Sequence, residues 1–128
     1  MRILALIAIL FFLACDGTEA PAATEISREE FVRTTVGSSV VLDVRSPEEY
    51  AAGHIKNALN VPHDRLAERM SDIQRFASVP VVVYCKSGSR AGKAIEALGK
   101  AGFTNLRHLT GDMDGWIEAG HAVAKDGP

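Results

Sequence analysis

The chain has 128 residues and a formal charge of −2, with 47% hydrophobic and 23% charged residues and few aromatics. That length holds one domain rather than two, and the apolar share supports a buried core and excludes a disordered chain. The near-neutral charge removes the usual electrostatic ground for a nucleic-acid partner.

Residues 1–15 form a distinct first segment. Arg2 precedes an unbroken apolar run from Ile3 to Cys15, followed by Asp16-Gly17-Thr18-Glu19. The run is too short to span a bilayer as a helix, and it has the make-up of a signal-peptide core behind a short basic start. Phe12-Leu13-Ala14-Cys15 resembles a bacterial lipoprotein processing box, with Phe12 where leucine is usual. The resemblance implies a lipid on Cys15, and Asp16 after it resembles an inner-membrane retention signal. Cleavage near Ala20-Pro21-Ala22 is the alternative. The expected location is the periplasm or cell envelope, anchored to the membrane by lipid. Residues 16–24 are small and polar and read as a tether, so the folded domain is expected over 25–124.

Within that domain, Ser27-Arg28-Glu29-Glu30 has the form of a capping box and predicts a helix through about Thr35. Gly37-Ser38-Ser39 turns the chain into Val40-Val41-Leu42-Asp43-Val44, an apolar run typical of a strand buried on both faces. Ser46-Pro47-Glu48-Glu49 is a second capping box, opening a short helix that ends at Gly53. A short strand is expected around Ala58-Leu59-Asn60-Val61. After it comes a helix capped by Asp64, with Leu66, Met70, Ile73 and Phe76 on one face. Val79 to Tyr84, dense in β-branched residues, is the expected central strand. From Ser89 or Arg90 a helix points Ala91, Ala94, Ile95, Leu98 and Ala101 inward and stops at Gly102. Leu106 to Leu109 is a last short strand, and Asp112 to Ala119 a final helix before Gly120. The alternation predicts an α/β fold, a central parallel β-sheet with helices on both faces. Ligands bind such sheets at the carboxyl ends of their strands.

Cys85-Lys86-Ser87-Gly88-Ser89-Arg90 stands at such an end. A helix beginning there directs unpaired N–H groups and partial positive charge at the loop. Lys86, Arg90 and, one turn later, Lys93 add formal charge. Those conditions favour a thiol in its thiolate form, the nucleophile, while successive loop N–H groups form a nest for anions. A Cys15–Cys85 disulfide is disfavoured, because Cys15 belongs to the targeting segment. The mature domain is then expected to carry one free thiol.

Three ordered segments together resemble the rhodanese family of sulfurtransferases. Leu42-Asp43-Val44-Arg45-Ser46-Pro47-Glu48-Glu49-Tyr50 with Gly53-His54-Ile55 resembles its first signature, and Cys85 to Ala91 its active-site loop. Leu109-Thr110-Gly111-Asp112-Met113-Asp114-Gly115-Trp116 resembles its C-terminal signature. The family usually has two glycines where this chain has Gly111-Asp112, and proline where it has Ala122. The resemblance implies a rhodanese-like domain and a ping-pong transfer. Cys85 would take a sulfane sulfur from a small anionic donor such as thiosulfate and pass it from a persulfide to a thiol or cyanide. No metal or other cofactor is called for. Lys86, Ser87, Gly88, Ser89 and Arg90 would bind the donor, the serines and the glycine through backbone N–H groups.

Asp43 and Arg45 are expected to support the loop, with Asp43 salt-bridged to Arg45 or to Arg90. His54 is expected to secure its turn by hydrogen bonds, and Trp116 to pack the last helix. His63, His108 and His121 lack metal-ligand spacing. Two other functions compete. Cysteine-based phosphatases and arsenate reductases resemble a pattern with five residues between cysteine and arginine, whereas four separate Cys85 from Arg90. A persulfide carrier or interaction module, loading once and releasing only to a protein partner, fits the same loop.

Overall fold

The computed structural model describes residues 23–34 and 38–125. The targeting segment, Cys15, residues 16–22 of the tether, Thr35 and Gly37 lie outside the described residues.

Strand β4 (Val81–Tyr84) runs through the middle of the sheet and is buried along its whole length. Its residues alternate between two cores, Val81 and Val83 on one side, Val82 and Tyr84 on the other. That is the two-residue period of a strand covered on both faces. Around it are β1 (Thr24–Ile26), β2 (Val40–Asp43), β3 (Leu59–Asn60) and β5 (Leu106–Leu109). Among the described residues the sheet has five strands in the order β1-β5-β4-β2-β3, every pairing parallel. Asp43 lies opposite Tyr84, so β2 and β4 end level and Val44 and Cys85 leave the sheet together.

Helices α1 (Arg28–Thr34) and α5 (Asp112–Glu118) cover one face, with Phe31, Met113 and Trp116 against Val82, Tyr84 and Leu109. Helices α3 (Leu66–Ile73) and α4 (Ser89–Lys100) cover the other with Leu66, Ile73, Ala91, Ala94 and Leu98. Met70, Phe76, Ile95 and Ala101 are partly buried against the same core. The α/β architecture read from the sequence is the one observed.

Local signals act where they were read. Ser46 Oγ accepts the Glu49 N–H at 3.2 Å while Glu49 reaches back to the Ser46 N–H, starting α2 (Pro47–Ala52). Past α4, the Gly102 N–H bonds Gly99 O and the Phe103 N–H bonds Leu98 O, both at 3.1 Å, closing the helix in a Schellman turn. Two expectations are corrected. Asp64 does not cap α3: it lies in a 3₁₀ turn, His63–Arg65, without a side-chain cap bond. Thr24, read as tether, opens β1 opposite Arg107.

Candidate active site

Between the end of β4 and the start of α4 the chain has four residues, Cys85 to Gly88, in which to reverse direction. Gly88 makes the turn at φ +120°, a conformation that side-chain-bearing residues rarely adopt. A Cβ there would also come within 3.2 Å of Asp112 Oδ2. The turn aims the Gly88 N–H at the Cys85 sulfur, 3.0 Å away. Cys85 is only 1% exposed and packs with the core that includes Val83 and Ala91. It is a free cysteine at the boundary of core and loop. Ser87 and Ser89 are exposed, as residues contributing main chain rather than side chain can be.

The first turn of α5 clamps the loop from the opposite side. Met113 N–H donates to Cys85 O at 2.9 Å, and Asp114 N–H to Lys86 O at 3.1 Å. The Cys85 N–H donates in turn to Asp112 Oδ1 at 2.9 Å. The main chain of the cysteine is therefore fixed at both its polar groups.

The loop cations have carboxylate partners that the sequence reading did not foresee. Arg90 holds both oxygens of Glu49, at 2.6 and 3.0 Å. The hydrogen bonds from Arg90 outweigh the effect of burial and, with those from Ser46, hold the Glu49 carboxyl down at about 2. Lys86 Nζ lies 3.0 Å from both oxygens of Asp114, in a pair more than half exposed to solvent. Lys93 is exposed. A cleft of about 260 Å³ opens between these groups, with Arg45, Glu49, Lys86, Met113, Asp114 and Val123 in its walls. A larger apolar cleft of about 650 Å³ has Phe31, Val41, Ile55, Leu59 and Trp116 in its walls, away from the cysteine loop. The smaller one reaches the loop at Lys86.

Asp43 and Arg45 form a buried ion pair at the end of β2. Asp43 is fully buried and takes Arg45 Nε and Nη2 at 3.0 and 2.6 Å, so Arg45 and not Arg90 is its partner. Tyr84 Oη donates to Asp43 Oδ2 at 2.7 Å and accepts the Ile55 N–H at 3.1 Å. Burial and the Asp43 charge push the Tyr84 phenol far above its ordinary range. Arg45 also donates to Gly53 O at 2.7 Å, tying the end of α2 to the sheet. His54 keeps to the structural part expected of it, with Nδ1 2.9 Å from Tyr50 O and its ring stacked 3.7 Å from that of Tyr50. Trp116 packs edge-on to Phe31 and donates to Ala122 O at 2.9 Å.

Two further residues of the site, Asp112 and His108, were missed. Asp112 is 1% exposed and stands between the Cys85 N–H and His108, whose Nε2 lies 3.0 Å from both carboxylate oxygens. The available signal was the aspartate itself, at a position where the resemblance called for glycine.

Comparison with known proteins agrees with this geometry. The family model for a rhodanese-like domain matches residues 27–119. Thiosulfate sulfurtransferase 16 of Arabidopsis thaliana is 38% identical over 89 residues, covering 62% of this chain and 74% of that protein. Thiosulfate sulfurtransferase PspE of Escherichia coli is 34% identical over 73 residues, covering 57% and 70%. The crystal structure of a rhodanese-related protein from Thermoplasma volcanium superposes with a TM-score of 0.72 at 29% identity, covering 80% of this chain and 99% of that one. The match runs from the first turn of α1 to the end of α5, and the chain belongs to the rhodanese-like family.

Proposed function

We propose that the chain is a thiosulfate-type sulfurtransferase working through a persulfide on Cys85. The thiolate attacks the outer sulfur of thiosulfate, a new S–S bond forms, and the donor's S–S bond breaks, releasing sulfite with the bonding electron pair. Cyanide or a thiolate then attacks the terminal sulfur and leaves with it, and the electron pair of the broken bond restores the Cys85 thiolate. The observation that carries this reading is the Gly88 N–H directed at the sulfur from 3.0 Å. A donor so placed stabilises negative charge on the thiolate, and bound loop N–H groups do the same for a terminal persulfide sulfur. The family relatives that act on thiosulfate support the choice of donor. Lys86 in the cleft wall and Arg90, bonded to Glu49 of that wall, are the cations that would meet the anion, exchanging part of their contact with Asp114 and Glu49 for it. Envelope location and a lipid on Cys15 belong to the same proposal and rest on the sequence of residues 1–16.

The test is turnover with thiosulfate and cyanide. Steady formation of thiocyanate over many cycles is expected, and its loss in Cys85→Ser. A single burst of one sulfur per chain, released only to a protein, would mark a carrier instead.

A further inference from the structure

Asp112 stands in the left-handed region of the backbone. It is one of two non-glycine residues with positive φ among the described residues, at +54°, a conformation that aspartate enters more readily than most side-chain-bearing residues. Its carboxylate is also nearly sealed from solvent, with 2% of the side chain exposed. A buried and charged residue persists where its contacts compensate it. Those contacts run in one line. Glu25 Oε1 of β1 lies 2.8 Å from His108 Nδ1, His108 Nε2 lies 3.0 Å from Asp112, and Asp112 Oδ1 takes the Cys85 N–H. Glu25 is anchored by Thr110 Oγ1, which donates to Oε2 at 2.9 Å.

An imidazole with a carboxylate at each ring nitrogen donates to both only when protonated. Burial opposes charge on His108, yet the bonds to Glu25 and Asp112 outweigh it and lift the ring above its ordinary 6.5. The charged groups facing it are Glu25 from β1 and Asp112 from α5; Arg28 of α1 is turned to Thr110 O at 3.4 Å. On the α4 side is Gly88, where an added Cβ would stand 3.7 Å from His108 Cε1.

We propose that Asp112 is a positioning residue for sulfur transfer and that protonated His108 is its counter-charge, so that the cysteine loop works only while His108 holds its proton. Once that proton leaves to solvent, a buried carboxylate stands uncompensated beside a sulfur that must be anionic as thiolate and as persulfide, and toward which an anionic donor must move. Repulsion then opposes both loading and charge development. The proposal deepens the sulfurtransferase reading and rests on it.

The experiment follows two signals against pH on the full chain: the NMR resonances of the His108 ring and the Cys85 amide, and the rate of sulfur loading from thiosulfate. The Cys85 amide is expected to shift with the same midpoint as His108, and loading to fall about tenfold above it, the effect of one short-range charge in a partly screened site. Asp112→Asn keeps an oxygen for the Cys85 N–H and removes the charge; its loading loses the alkaline decline. His108→Gln loads slowly at every pH, and adding Asp112→Asn restores it. A Cys85 amide that stays still while His108 titrates, or an unchanged decline in Asp112→Asn, overturns the relay. A chain whose amide follows His108 but that never takes up sulfur keeps the relay and refutes the transfer reading instead.

Discussion

Arg90 in the first turn of α4 grips Glu49 in the first turn of α2 with two hydrogen bonds, joining the start of the cysteine's helix to the first signature segment. The pair neutralises a cation beside the cleft wall that Glu49 forms. In Glu49→Gln that charge is released, and the KM for thiosulfate is expected to fall about two- to fivefold, the scale of one partly solvated charge. Michaelis–Menten kinetics of the variant check this; a raised KM would show that Arg90 needs Glu49 for its position more than it suffers from its charge.

The same pair sets an acid limit. The Glu49 carboxyl is held at about 2 against an ordinary 4.5. A depressed carboxyl contributes stability that is whole above the unfolded value and is lost as pH falls through the folded one. Thermal melts between pH 6 and 2 should therefore show wild type losing more stability than Glu49→Gln over the lower part of that range, with the two curves converging near pH 2. Parallel curves would mean that the pair adds nothing to folding.

Lys86 is a weaker partner. Its side chain is 61% exposed, and its partner Asp114 is also more than half exposed. Lys86→Ala is expected to raise the KM for thiosulfate about threefold with kcat nearly unchanged, as for a solvated charge acting on encounter and binding. A kcat loss of two orders of magnitude would place the ammonium on the reacting atoms.

Gly88→Ala tests the loop geometry. The substitution combines an unfavourable φ of +120° with a Cβ 3.2 Å from Asp112 Oδ2, and is expected to cost about 1–2 kcal/mol of stability. Sulfur loading should fall by more than the unfolded fraction explains, because the N–H must turn from the sulfur. Urea unfolding beside loading rates separates the two effects. Asp43→Asn should do the reverse. It leaves the buried Arg45 without its counter-ion, costs about 3–5 kcal/mol, and keeps loading per folded molecule close to wild type.

The parts of the fold legible in the sequence are those where one physical signal acts locally. The β-branched run Val79 to Tyr84 reads as the central strand, of which Val81–Tyr84 pairs in the sheet, the Ser46 box starts α2, and a cysteine between strand and helix marks the site before any contact is known. β1 escaped because an edge strand of three residues with two exposed positions has no period to read. Glu49 and Asp114 escaped as partners because they reach the loop across 41 and 28 residues of sequence. Asp112 and His108 escaped for a related reason. Four residues apart at the turn from β5 into α5, they read as a strand histidine and a helix-start acid until the loop of Cys85 is folded against them.

Intact-mass spectrometry of the chain before and after thiosulfate reads the persulfide without assuming an acceptor. One added sulfur atom is expected on wild type, removed by cyanide and absent from Cys85→Ser. A wild-type mass that thiosulfate leaves unchanged, or an added sulfur that survives in Cys85→Ser, would contradict a persulfide on Cys85.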